Sequence, residues 1–373
     1  MDALTTPLNW QKVRLGDIGK PCMCKRVMKH QTTRYGEIPF YKIGTFGNTA
    51  DAFISKKLFL EYKTKYSFPK KGDILISASG TIGRAVIYDG KPAYFQDSNI
   101  VWIDNDETLV KNDFLFYAYS NVKWNTEHTT ILRLYNDNFR NTLIPLPPLN
   151  EQSAIANILS ALDRYLCALD ALILKKEGVK KALSFELLSQ RKRLKGFNQT
   201  WQRVRLGDIA NYLTSNLSAE QITQQGKIKV YDVNNFVGYT NTTFISDKPY
   251  ISIVKDGSVG RVRILPPKTN ILSTMGALIA NHRTTTEFLF YLLSNFDFKN
   301  FTSGSIIPHI YFKDYKEKTI FLPPLNEQSA IANILSSLDN EIASLKNKKR
   351  QFENIKKALN HDLMSAKIRV LKK

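Results

Sequence analysis

Cysteine is scarce in this 373-residue chain: only Cys22, Cys24 and Cys167 occur. An odd, sparse set argues against a disulfide framework and for a reducing compartment, the cytoplasm. Long apolar runs are missing, so no segment is expected to cross a bilayer. The opening Met1-Asp2-Ala3-Leu4-Thr5-Thr6-Pro7 lacks the basic head and apolar stretch of a secretory leader. Neither Gly-x-x-x-x-Gly-Lys-Ser/Thr nor Gly-x-Gly-x-x-Gly is present. Gly80-Thr-Ile-Gly83 is a bare Gly-x-x-Gly, read as a strand-to-strand turn. The Asn-Pro-Pro-aromatic tetrapeptide of many amine methyltransferases is absent as well. Asp89-Gly-Lys91 and Asp314-Tyr-Lys316 hold half of a metal nuclease's carboxylate–lysine set and read as surface turns. Cys22-Met-Cys24 with His30 falls short of the four ligands and Cys-x-x-Cys spacing of structural zinc. No constellation here supports catalysis or a metal. The chain reads as a binding scaffold.

What is abundant is positive charge. Lys and Arg number 53 against 33 Asp and Glu, a net +20. The excess is spread: +6 over 1–146, +4 over 147–200, +5 over 201–322 and +5 over 323–373. A long basic surface facing a polyanion, most simply nucleic acid, accounts for that distribution.

The chain is also written twice. Trp10-Gln-Lys-Val-Arg-Leu-Gly-Asp-Ile18 returns at Trp201–Ile209 with eight of nine positions identical. Pro147–Asp163 returns at Pro323–Asp339 with one change in 17. Weaker echoes link Phe114–Asn121 to Phe288–Asn295 and Ser79-Gly-Thr-Ile-Gly-Arg84 to Asp256-Gly-Ser-Val-Gly-Arg261. Two copies are too few for a solenoid and imply two similar domains.

After each double proline the spacing predicts a long helix. Asn150 and Asn326 read as N-caps with Glu in the first turn. Apolar residues follow at steps of four and three: Ile155, Leu159, Leu162, Leu166, Leu169 and Ile173, then Ile331, Leu335, Leu338, Ile342 and Leu345. The pattern breaks near Lys176 and Lys180 and resumes at Leu183 and Leu187, or at Leu359 and Leu363. This is a coiled-coil seam, and ~40 residues make a rod of ~60 Å. Two such rods in one chain most simply pair with each other. The blocks before the rods carry short β-rich runs broken by Gly, Pro and Asn, such as Ile38–Ile43, Asp73–Ser77, Ile228–Val233 and Tyr250–Val254. Each block also holds one helix, near 112–122 and 286–296. The expected class is α+β: two similar mixed α/β domains, 1–146 and 200–322, each followed by a helix, 147–199 and 323–373. The helices would pair as an antiparallel intramolecular coiled coil with pseudo-two-fold symmetry.

Candidate nucleic-acid contacts are the basic and polar loops. The first block offers Lys25, Arg26, Lys29, His30 and Arg34, then Arg84 after the glycine turn and Arg133 late in the block. The second offers Lys227, Lys229, Arg261, Arg263 and Arg283, with His309 matching Arg133. Seam demands alone would not hold Asn150-Glu-Gln-Ser153 and Asn326-Glu-Gln-Ser329 to one tetrapeptide, of which Asn150, Glu151, Gln152, Asn326, Glu327 and Gln328 are the docking candidates. These six residues are expected to dock one identical partner per half, unless recombination keeps the repeats alike.

The opening Trp-x-x-Val-x-Leu-Gly-Asp-Ile, the closing Ile-Pro-Leu-Pro-Pro-Leu-x-Glu-Gln motif at 144–163 and 320–339, and Lys71-Gly-Asp-Ile-Leu-Ile-Ser77 together resemble the specificity subunits of type I DNA restriction-modification systems. Phe321 stands where the closing pattern has Pro, and the second block has Lys255-Asp-Gly-Ser-Val in place of a clean Lys-Gly-Asp-Ile-Leu. The resemblance implies a non-catalytic subunit. Each target-recognition domain would read half of a split double-stranded DNA sequence, and the helices would set the spacer. Two modification subunits would bind it and methylate adenine with S-adenosylmethionine. Restriction subunits using ATP and Mg could join. This chain itself would need no cofactor and no membrane. The alternatives are a DNA-modifying enzyme, nuclease or methyltransferase, with an unrecognised motif, or a coiled-coil scaffold that binds proteins only.

Overall fold

The computed structural model describes residues 10–128, 132–233 and 235–370, and the chain divides into two units. The first comprises residues 1–169 and 348–373, the second 170–347. Two 40-residue helices, Leu149–Leu188 and Leu325–Met364, each give their first half to one unit and their second half to the other. None of the described helices is long and apolar enough to cross a membrane.

The units share one topology although their sequences diverge. In the first, a four-stranded antiparallel sheet has the spatial order Gly19–Cys22, Ile100–Asn105, Ile74–Ser77, Ala85–Ile87. The second repeats it with Ala210–Thr214, Met275–Ala280, Tyr250–Val254 and Val262–Leu265. A three-stranded sheet follows in both: Phe53–Ile54, Ile38–Tyr41, Tyr94–Phe95, and Phe236–Thr240, Ile228–Tyr231, Asn270–Ile271. Each includes one antiparallel and one parallel pairing. The opening motif forms a strand against the residues that lead into the long helix, Gln11–Arg14 on Leu143–Leu146 and Gln202–Arg205 on Thr319–Leu322. Entry and exit of each domain are thereby tied together at the helix start.

Register corrects one sequence alignment. Ser77 N bonds Arg84 O and Val254 N bonds Arg261 O, both at about 3 Å, so Ser77 and Val254 are equivalent. Lys71-Gly-Asp73 therefore corresponds to Lys248-Pro-Tyr250, not to Lys255-Asp-Gly257. Asp73 is buried because its carboxylate accepts from Lys70 N at 2.7 Å; buried Tyr250 fills that place in the second unit by bonding Thr269.

Within each unit the helical segments run antiparallel. In the first, Asp163 meets Lys356 and Tyr165 packs on Phe352 at 4.7 Å. In the second, Lys180 meets Asp339 and Lys176 meets Glu341, so the polar break in the seam is a set of ion pairs. Ile155, Leu159 and Leu363 are fully buried in the first unit, as are Ile331, Leu335 and Leu187 in the second. Each domain anchors to its helices through one cluster. Tyr117 Oη donates to Asp163 at 2.7 Å beneath Lys356, and Tyr291 Oη donates to Asp339 at 2.9 Å beneath Lys180. Burial, then the neighbouring aspartate, pushes both phenols far above their ordinary pKa, so both keep the proton they donate to the aspartate.

Candidate nucleic-acid interface

The glycine turn recurs with the same internal logic. In the first unit Gly83 has φ +83° and its N–H bonds Ser77 O at 2.9 Å. A Cβ there would lie 2.1 Å from Trp124. In the second, Gly260 has φ +79°, its N–H bonds Val254 O at 2.9 Å, and a Cβ would lie 2.6 Å from Phe298. Only glycine satisfies both the left-handed backbone and the aromatic lid. The next residues, Arg84 and Arg261, are exposed. Arg84 Nη1 donates to Phe46 O at 2.9 Å, which fixes the guanidinium without neutralising it.

A second segment crosses each turn. Ser79 is bridged to Arg133, and Asp256 to His309. Thr129, Thr130 and Ile131, between the two short strands of the first crossing segment, lie outside the described residues. In the first unit Asn99 Oδ1 accepts from Ser79 Oγ at 2.8 Å and from Arg133 Nη2 at 3.1 Å. In the second, His309 Nδ1 lies 2.6 Å from Asp256 Oδ1. The strands that carry His309 enclose an exposed tip, where Ile306 and Ile307 face solvent.

The basic loop of the first unit is built on a 3₁₀ turn at Lys29–Gln31, closed by Met28 N donating to Gln31 Oε1 at 2.8 Å. Lys25, Arg26, Lys29, His30 and Arg34 are all exposed on it. Tyr35, 87 % exposed, stands beside Arg34. The second unit has the same device at Ala219–Gln221, with Ser218 N donating to Gln221 Oε1 at 2.9 Å. The signal was in the sequence: Gln31–Tyr41 and Gln221–Tyr231 agree at five of eleven positions, Gln, Thr, Gly, Ile and Tyr. Its basic residues moved downstream to the neighbouring strand. Lys227 is exposed there, Lys229 lies 6.0 Å from the Phe236 ring, and Arg263 lies 5.6 Å from the Tyr231 ring. Arg283 does not join them. Its Nη2 donates to Gln202 at 3.1 Å, and its carbonyl accepts from Gln328, so it belongs to the start of the second long helix.

The expected partner-docking role of Glu151, Gln152, Glu327 and Gln328 is overturned by their burial. Glu151 is 2 % exposed and Glu327 0 %. Trp10 Nε1 donates to Glu151 at 3.1 Å, and Arg369 grips the same carboxylate with Nε at 2.6 Å and Nη2 at 2.8 Å. Trp201 and Arg193 hold Glu327 in the same way, with Trp201 Nε1 at 2.9 Å and Arg193 Nη2 at 2.6 Å. Gln152 accepts from Lys111 N and donates to the Leu109 and Pro147 carbonyls. Gln328 likewise accepts from Thr285 N and donates to Arg283 O and Pro323 O. A buried, fully bonded carboxylate has nothing left to offer a partner. Asn150 and Asn326 stay exposed, but the helices begin one residue before them, with Pro148 and Pro324 carbonyls accepting the first bonds.

Burial also settles the thiols. Cys24 is enclosed and pushed up to about 12 by desolvation, and Cys22 is raised for the same reason. Among the described residues no three His, Cys, Asp or Glu side chains converge for a metal. Asp89 caps the N–H of Lys91 at 2.9 Å, as expected of a turn.

Two domains of one topology, each presenting basic loops and each seated on a shared pair of helices, define a duplicated recognition protein. The model of the type I restriction modification DNA specificity domain matches residues 7–176 and again 198–354, and the chain belongs to that family of specificity subunits. It is 26 % identical to the type I restriction enzyme MjaVIII specificity subunit of Methanocaldococcus jannaschii, over 99 % of this chain and 95 % of that one. A segment of 148 residues, 39 % of this chain and 38 % of the relative, is 64 % identical to a protein of Haemophilus influenzae named "Putative type I restriction enzyme specificity subunit". The fold is similar to the crystal structure of the type I restriction-modification S subunit of M. genitalium, with TM-score 0.64 and 20 % identity over 97 % of this chain and 98 % of that one. A chain from a structural study of type I complex assembly and conformational transition gives 0.60 and 17 % over 96 % and 98 %.

Proposed function

We propose that the two recognition domains, 1–146 and 200–322, each read one half of a bipartite double-stranded DNA target. The helical segments, 147–199 and 323–373, set the unread spacer between the halves. The observation that carries this reading is one topology used twice with basic loops that differ. Shared architecture with unlike contact residues is what two different half-sites demand. Lys25, Arg26, Lys29, His30, Arg34, Arg84 and Arg133 serve one half. Lys227, Lys229, Arg261, Arg263 and His309 serve the other.

Two modification subunits dock on the helix starts, through other residues than the buried pairs. In the repeated motif Leu149, Asn150, Ser153, Asn157 and Ile158 are exposed, and so are the identical Leu325, Asn326, Ser329, Asn333 and Ile334. Internal packing places little demand on exposed positions, and two apolar ones among them suit a common partner surface. The chain is not an enzyme in this reading and holds no cofactor. Modification subunits supply methyl transfer with S-adenosylmethionine, and restriction subunits use ATP and Mg. The complex works in the cytoplasm.

The test is selection from a randomised duplex library with the full chain and its modification subunit. Two short half-sites around a fixed unread spacer are expected, with affinity falling steeply as salt rises. One contiguous site, or binding indifferent to salt, overturns the proposal.

A further inference from the structure

The place where the crossing segment meets the glycine turn is the same in both units, yet its chemistry is opposite. In the first unit Arg133 is steadied by one hydrogen bond, from Nη2 to the neutral amide oxygen of Asn99 at 3.1 Å. That oxygen is itself fixed by Ser79 Oγ at 2.8 Å. A neutral acceptor orients a guanidinium and leaves its charge intact, with Nε and Nη1 still able to donate. In the second unit the matching residue is His309, whose Nδ1 lies 2.6 Å from a carboxylate oxygen of Asp256. An ionised carboxylate only accepts, so Nδ1 carries a proton, and whenever the ring is neutral Nε2 is a bare acceptor. Asn99 and Asp256 are positioning residues, tied to the turn that ends in exposed Arg84 or Arg261.

Resting on the DNA-recognition reading above, the geometry points to this junction as a base-reading position in each domain, with opposite hydrogen-bond polarity. Arg133 presents paired donors and selects guanine, whose major-groove edge offers two acceptors, N7 and O6. His309 presents an acceptor and selects a base with an exocyclic amine in that groove, adenine or cytosine. The two half-sites thus differ in kind at this one contact.

The experiment repeats the library selection at pH 8. It compares the full chain with Arg133→Gln, Arg133→Lys, His309→Phe and Asp256→Asn, each with the modification subunit. Arg133→Gln is expected to lose guanine preference at one position of one half-site, by about 5- to 150-fold. Arg133→Lys keeps the charge without the fork and should lose most of that preference too. His309→Phe and Asp256→Asn should relax one position of the other half-site only. An unchanged motif with a uniform loss of affinity means a phosphate contact and overturns the inference, as does relaxation of both half-sites by one variant. Should Arg133→Gln fail to fold, Arg133→Met takes its place, and full guanine preference in that variant overturns the inference equally. If the unmodified chain itself selects no bipartite motif, the DNA-recognition reading fails first, so the two failures are distinguishable.

Discussion

The helix starts and the turn junctions make an instructive pair. At the helix starts the two units agree atom for atom: a Trp N–H, a buried glutamate and an arginine fork, Trp10–Glu151–Arg369 and Trp201–Glu327–Arg193. At the junctions they keep the backbone bridge and exchange the side chains, Ser79–Asn99–Arg133 against Asp256–His309. Buried polar groups are intolerant of change because every partner must be satisfied together. A half-exposed pair on a fixed backbone can change freely. Identity between the units at buried positions therefore marks what carries the scaffold, and divergence at the junctions is where the proposed reading places the contacts with two different targets.

The comparison breaks hardest at the buried glutamates. Glu151→Ala strands the Trp10 N–H and one arginine, and Glu327→Ala does the same in the other unit. Each is expected to cost about 3 kcal/mol of stability, read from the urea midpoint of the unit concerned. Gly83→Ala should follow at about 2 kcal/mol, since strained φ and collision with Trp124 add. Gly80→Ala, at φ +65° but with a Cβ no nearer than an ordinary 3.8 Å to Ile43, should cost about 1 kcal/mol. Equal costs at Gly83 and Gly80 would show that the aromatic lid contributes nothing.

Surface changes sharpen the contrast from the other side. Leu149→Asp and Leu325→Asp lie on exposed positions and should move stability by about 0.5 kcal/mol or less. Each should still remove one modification subunit from the complex, counted by native mass spectrometry. Two subunits bound undiminished would leave recombination as the better account of the repeat. The smallest effect is expected at Asp208, held below the ordinary carboxylate range first by the Arg205 side chain and then by the Arg205 N–H. A depressed folded pKa contributes stability above the unfolded value and loses it as pH falls through the folded one. Asp208→Asn should therefore narrow the stability difference between neutral and acid pH, seen as a flatter acid limb in thermal melts.

Much of the architecture was readable in advance. The long helices, the duplication and several individual strands announce themselves through local periodicity and through residues repeated at fixed spacing, whereas the order of the strands within the sheets does not. Ile155, Leu159, Ile331 and Leu335 lie in the seam as their spacing requires. Strands such as Met275–Ala280 and Phe236–Thr240 are not legible in this way, because a Gly-containing or continuous apolar run has no period-2 signature.

The sequence by itself determined that there are two domains of one kind, two helices that bury one stripe each, and a basic surface, since all three follow from composition and short-range spacing. Only the tertiary structure decided which polar residues are spent internally. Glu151 reads as an ordinary first-turn carboxylate until Trp10, 141 residues before it, and Arg369, 218 residues after it, close on it. Arg133 and His309 read as two basic residues until Asn99 places a neutral amide oxygen beside one and Asp256 a carboxylate beside the other. Burial and hydrogen-bond polarity are properties of neighbours in space, and no local pattern carries them.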